Sequence, residues 1–117
     1  MKGFEKITVK GGARTELHDA LRLTGAEISI NELPAGVGVP FVHSHKQNEE
    51  IYGVLEGKGK VTADGKEFEI AAGDWFRISP SVKRQLSAAA DEGVRYICIQ
   101  VKENSLENFT AGDAEIS

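Results

Sequence analysis

His43, His45 and Glu50 are the residues of this chain whose types and spacing could do chemistry. They lie in the run His43-Ser44-His45-Lys46-Gln47-Asn48-Glu49-Glu50. The two histidines are two apart, so on a strand they point to the same side. Four residues separate His45 from Glu50, and a tight connection across them could bring the carboxylate back beside the imidazoles. Two imidazoles and one carboxylate on one face, with positions left open, form a facial triad for a divalent ion such as Zn, Fe, Mn or Ni.

An exposed polar loop also holds histidines often enough, so the flanks matter. Val39-Pro40-Phe41-Val42 enters the cluster as an apolar run and Ile51-Tyr52-Gly53-Val54-Leu55 leaves it the same way. Both read as strand, which places the cluster inside a sheet. After the cluster the alternation puts Glu50, Tyr52 and Val54 on one face and Ile51, Gly53 and Leu55 on the other. Glu49 then points away, so Glu50 is the carboxylate expected beside the histidines, and Tyr52 lines the same wall. Tyr52 is a candidate for chemistry, although core packing is the plainer role for a buried tyrosine.

The segment resembles the first motif of the cupin superfamily: His43-x-His45, four residues, Glu50, six residues, Gly57, with Gly38 one residue nearer to His43 than is usual. Gly73-Asp74-Trp75-Phe76-Arg77-Ile78-Ser79-Pro80 is similar to the opening of that family's second motif. The resemblance covers about half of the chain. It implies a double-stranded β-helix, the jelly-roll barrel, and a metal held by His43, His45 and Glu50. It also implies that a homodimer is common. The second motif's metal-binding histidine falls at Arg84, where the pattern departs. A protonated arginine ligates no metal. Facing inward, Arg84 would instead offer a positive fork to a carboxylate or phosphate, and a slip of one residue would make Gln85 a fourth ligand through its amide oxygen. Plain surface charge at Lys83 and Arg84 is an equal alternative.

The elements that must position these groups read as all-β. Lys6–Lys10 alternates like an edge strand, and Arg14–Leu23 carries Leu17, Ala20 and Leu21 at the spacing of a short helix or turn. His18 in that stretch reads as a surface residue. Residues 25–33 set Ala26, Ile28 and Ile30 against Glu27, Ser29 and Asn31, the pattern of a strand with one buried face. Gly57–Lys60 reads as a turn. Val61–Ala63, Asp64-Gly65 and Lys66–Ile70 read as a hairpin, with its charges on the outer face. Trp75 reads as packing, on the cavity or on a subunit interface. Val94–Val101 is apolar on both faces, as in a central strand or one covered by a partner, with Cys98 as a small buried hydrophobe. The tail from Lys102 to Ser117 is acidic.

The 117 residues suit one domain, 1–117, around one core. A net charge of -4 argues against nucleic acid or an anionic membrane as partner. The single cysteine and the absence of an apolar leader fit a cytoplasmic setting. Two functional readings follow. One is a metal-dependent enzyme of isomerase or dioxygenase type acting on a small, polar, anionic molecule, with Tyr52 and Arg84 as candidate catalytic residues. The other is a non-catalytic binding or sensing barrel whose site is metal-held or vestigial.

Overall fold

Seven strands in chain order build the protein: β1 (Arg14–Glu16), β2 (Glu27–Leu33), β3 (Asn48–Ala63), β4 (Lys66–Ala71), β5 (Trp75–Ile78), β6 (Arg84–Ala88) and β7 (Val94–Lys102). The computed structural model describes residues 1–117. All pairings are antiparallel, and β3 holds the two halves together. Its first half lies between β7 and β5, and its second half between β4 and β6. β2 extends the first sheet beyond β7, and β1 extends it beyond β2. The result is the jelly-roll barrel that the strand pattern implies.

A single sixteen-residue strand serves two sheets because it bends. The pairing with β7 slips between Val54 and Glu56, and Gly57 follows with φ +80°. A Cβ at Gly57 would stand 1.8 Å from the Gly93 carbonyl oxygen, so only glycine lets β3 and β7 approach this closely. The expected turn over Gly57–Lys60 is therefore a bend inside a continuous strand. The hairpin turn that does form is Asp64-Gly65, with φ of 49° and 82°. Two positive values match the twist of the flanking strands β3 and β4.

The core is Tyr52, Val54, Val61, Ile70, Ile78, Leu86, Val94 and Tyr96, with Ala88 and Cys98 between them. They come from both halves of β3 and the strands paired to it, so the core sits between the two sheets.

Two expectations need correction near the N-terminus, and of the short helix or turn expected there it is the turn that forms. Lys6–Lys10 forms no strand; it finds no neighbour, and β1 takes the edge of β2 instead. Arg14–Leu23 forms no helix. Its first residues pair in β1, and the remainder turns, with Leu21 N–H bonded to the Leu17 carbonyl and Leu23 N–H to that of His18. In β2 the fully buried side chains are Ser29 and Asn31, while Ile28 and Ile30 lie half-buried on the outer surface. The polar face can turn inward because its groups are met by hydrogen bonds: Asn31 accepts from Arg14 and donates to Ser29. No helix is long and apolar enough to cross a membrane.

Candidate metal centre

The His43–His45 run is fixed by backbone bonds before any side chain acts. His43 N–H donates to the Arg84 carbonyl, Arg84 N–H donates back to the His43 carbonyl, and His45 N–H donates to the Pro80 carbonyl. The run thus lies along β6 and its preceding loop, outside any long ladder. Glu50 comes from β3, where alternation turns Glu50, Tyr52 and Val54 inward. Glu49 faces out and pairs with Arg77.

These two routes meet. His45 Nε2 lies 3.1 Å from Glu50 Oε2, and His43 Nε2 lies 3.7 Å from Glu50 Oε1. One donor atom from each of the three residues falls within 4.8 Å of the others. First-row divalent ions bind nitrogen and oxygen at about 2.0–2.2 Å, so donors at these separations converge on one ion with little movement. The rings of His43 and His45 stand edge to face, 5.1 Å between centroids. His43 Nδ1 is enclosed without a partner, so packing rather than a hydrogen bond holds this ring. By type and spacing the three donors fit a divalent ion.

Glu50 is also gripped from behind. Its Oε1 accepts the Tyr52 hydroxyl at 2.5 Å and Arg84 Nη1 at 2.9 Å, and its Oε2 accepts the Cys98 thiol at 3.3 Å. Burial alone would push the Glu50 carboxyl up, but the hydrogen bonds from Tyr52 and Cys98 and the charges of His45 and Arg84 outweigh it. The net effect holds the carboxyl below its ordinary value, so it is a carboxylate at neutral pH. The Cys98 thiol is pushed up to about 12 by burial, with Glu50 adding to the effect. The Tyr96 hydroxyl is pushed up to about 12, by burial and then by Cys98. Tyr52 is raised further for the same first reason. His43 is lowered by burial; the charges of His45, Arg84 and Arg14 add to this, and Glu50 opposes it.

Arg84 does turn inward, but it is wholly buried and committed to the protein. Besides Glu50, it donates through Nη2 to the carbonyls of Ser79 and Pro80, at 2.6 and 3.3 Å. It closes the β5–β6 loop onto Glu50 and offers no open fork to a ligand. Gln85 lies on the opposite face of β6 from Arg84, and its amide nitrogen donates to the Val39 carbonyl at 2.7 Å. That bond clamps the Val39 run to β6. Tyr52 stacks on Phe76, with centroids 5.0 Å apart, and spends its hydroxyl on Glu50.

The cluster forms part of the wall of a cavity of about 510 Å³. Phe41, Leu86, Tyr96 and Val39 supply its apolar surface, and Arg14, Asn31, Cys98 and Gln100 supply further polar groups. Cys98 and Arg14 were not legible as site residues. Parity along β7 puts Cys98 on one face with Val94 and Tyr96, but nothing local says that this face meets Glu50. Trp75 lines no part of this cavity. It lies half-exposed on the outer surface, flat over Gly53, where a Cβ would meet its ring at 2.3 Å.

Comparison with known proteins places this geometry in context. The description of the cupin domain matches residues 30–100, more than half of the chain. An uncharacterized protein of Methanocaldococcus jannaschii is 30% identical over 103 residues, spanning 87% of this chain and 82% of that one. The crystal structure of a cupin protein from Bacteroides fragilis is 61% identical, with a TM-score of 0.97 over 100% of this chain and 99% of that one. A conserved-barrel cupin domain protein from Salinispora arenicola shares the fold, with a TM-score of 0.66 at 20% identity over 77% of this chain and 75% of that one.

Proposed function

The chain belongs to the cupin family, and from that premise we propose that it is a metal-dependent barrel that acts on or binds a small molecule. His43, His45 and Glu50 would hold a divalent metal ion, and the adjoining cavity would accept a small anionic molecule, a carboxylate or phosphate. The observation that carries the reading is the convergence of three donor atoms within 4.8 Å on the wall of a cavity of about 510 Å³. That volume suits a small ligand. When bound, such an ion supplies Lewis-acid or dioxygen chemistry of the isomerase or dioxygenase kind. The residues of this chain do the rest. Glu50 is kept ionised and oriented by Tyr52, Arg84 and Cys98. Phe41, Leu86 and Tyr96 present apolar surface to the cavity.

A non-catalytic binding or sensing barrel is the second reading, and one observation favours it. Tyr52 and Cys98 are both raised and both engaged with Glu50, so neither is poised to move a proton near neutral pH. An enzyme with this cavity would rely on the ion and the histidines. A homodimer is part of the same proposal. Ile28, Ile30, Ile51, Ile97 and Ile99 are cross-strand neighbours on the outer surface of β2, β7 and β3, half-buried in a single chain. The single cysteine, buried and unpaired, accords with a cytoplasmic setting.

Elemental analysis of protein purified without chelator or metal-affinity resin tests the metal reading. We expect close to one divalent ion per chain in the wild type and a sharp fall in His45→Ala. Wild-type stoichiometry in a variant with all three ligands replaced by alanine would refute it.

A further inference from the structure

The cavity holds one guanidinium that the protein does not enclose. Arg14 sits on β1 directly opposite Asn31, and both line the cavity, Asn31 buried and Arg14 half-exposed at its rim. Across the sheet the same row continues through Tyr96 on β7 to Val54 on β3. Arg14 Nη1 donates to Asn31 Oδ1 at 2.8 Å, and Asn31 Nδ2 donates to Ser29 Oγ at 3.0 Å. Asn31 and Ser29 are buried, so this relay is rigid and the guanidinium is aimed by groups that cannot easily move. Its Nε reaches Glu16 at 3.4 Å, on the exposed side. An exposed pair at that distance holds little. Its Nη2 has no partner in the protein.

We propose that Arg14 is the residue that selects an anionic ligand: its guanidinium, set by Asn31 at the cavity wall, receives the carboxylate or phosphate of a small molecule lying toward His43, His45 and Glu50. This deepens the proposed function and rests on its anion reading. The charge inventory of the cavity supports it. Glu50 is neutralised by Arg84, and Glu32 is paired with Arg95 at 3.3 Å. Arg14 is the cavity cation whose one opposite partner is Glu16, in an exposed pair at 3.4 Å. A planar fork with one edge fixed and one edge free suits a carboxylate or a phosphate better than a neutral polyol.

The test is titration of zinc-loaded and metal-free protein with inorganic phosphate, malonate and the neutral polyol erythritol. It uses the wild type, Arg14→Gln and Arg14→Lys, with metal content and thermal midpoint measured for each. In Arg14→Gln, phosphate and malonate should bind about tenfold or more weakly, the loss expected for one charge-assisted hydrogen bond. Metal content and erythritol response should stay as in wild type. Arg14→Lys keeps the charge and loses the fork, so it should retain part of the malonate affinity even if Arg14→Gln folds poorly. Unchanged anion affinity in both variants would overturn the inference, as would loss of bound metal in step with loss of anion. If the wild type holds zinc and binds neither anion, the inference falls while the metal reading stands. If the wild type holds no zinc and Arg14→Gln still loses phosphate, the inference stands without it.

Discussion

Arg84 and Glu50, thirty-four residues apart, form an ion pair of 2.9 Å in which the arginine is wholly buried and the carboxylate nearly so. The pair links β6 to the first half of β3, across the junction where the two sheets meet. It also explains how an arginine can stand where the family pattern expects a metal-binding histidine. Its charge is spent on the carboxylate that faces the cluster, so the buried pair carries no net charge.

Removing one partner of such a pair strands the other charge in a poorly solvated place. Arg84→Met should therefore destabilise the metal-free protein by about 3–5 kcal/mol, the range for breaking a buried ion pair. Pairing it with Glu50→Gln should recover part of that loss, because no buried charge is then unpaired. Urea denaturation of the two single variants and the double variant measures the coupling. A loss below about 1 kcal/mol in Arg84→Met would show that water reaches Glu50 and that the pair is not what holds the loop.

The Cys98 thiol, with its pKa pushed up to about 12, should be inert in the folded protein. The thiolate is the reactive form, and at about pH 8 the native protein holds almost none of it. Iodoacetamide should leave native protein unmodified for hours and label it fully in urea, as read by intact mass. Rapid labelling without denaturant would mean that the cavity opens readily to Cys98 and that the thiol is not held against Glu50.

The isoleucine surface on β2, β7 and β3 leads to a prediction about assembly. A second copy covering it would remove Ile28, Ile30, Ile97 and Ile99 from water together, at roughly 25 cal/mol per Å² of apolar surface. Sedimentation at micromolar concentration should give twice the chain mass, and Ile97→Asp should shift the protein toward monomer with its fold retained by circular dichroism. A wild-type monomer under those conditions rules the dimer out.

What the sequence determined by itself is local. The two-residue spacing of His43 and His45, the parity that turns Glu50 inward and Glu49 outward, and the Asp64-Gly65 hairpin all follow from backbone periodicity and turn chemistry. Each is set by neighbours in the chain, so each could be read before any strand was paired. The contacts of Glu50 with Arg84 and Cys98, and of Arg14 with Asn31, depend on which strands pair and in what register. So does the inward turn of Ser29 and Asn31 in place of Ile28 and Ile30. A strand shows its alternation but not which of its faces will be interior. That choice is made when the sheets close, because a barrel can bury a polar face whose hydrogen bonds are met and leave the apolar face outside for another surface to cover.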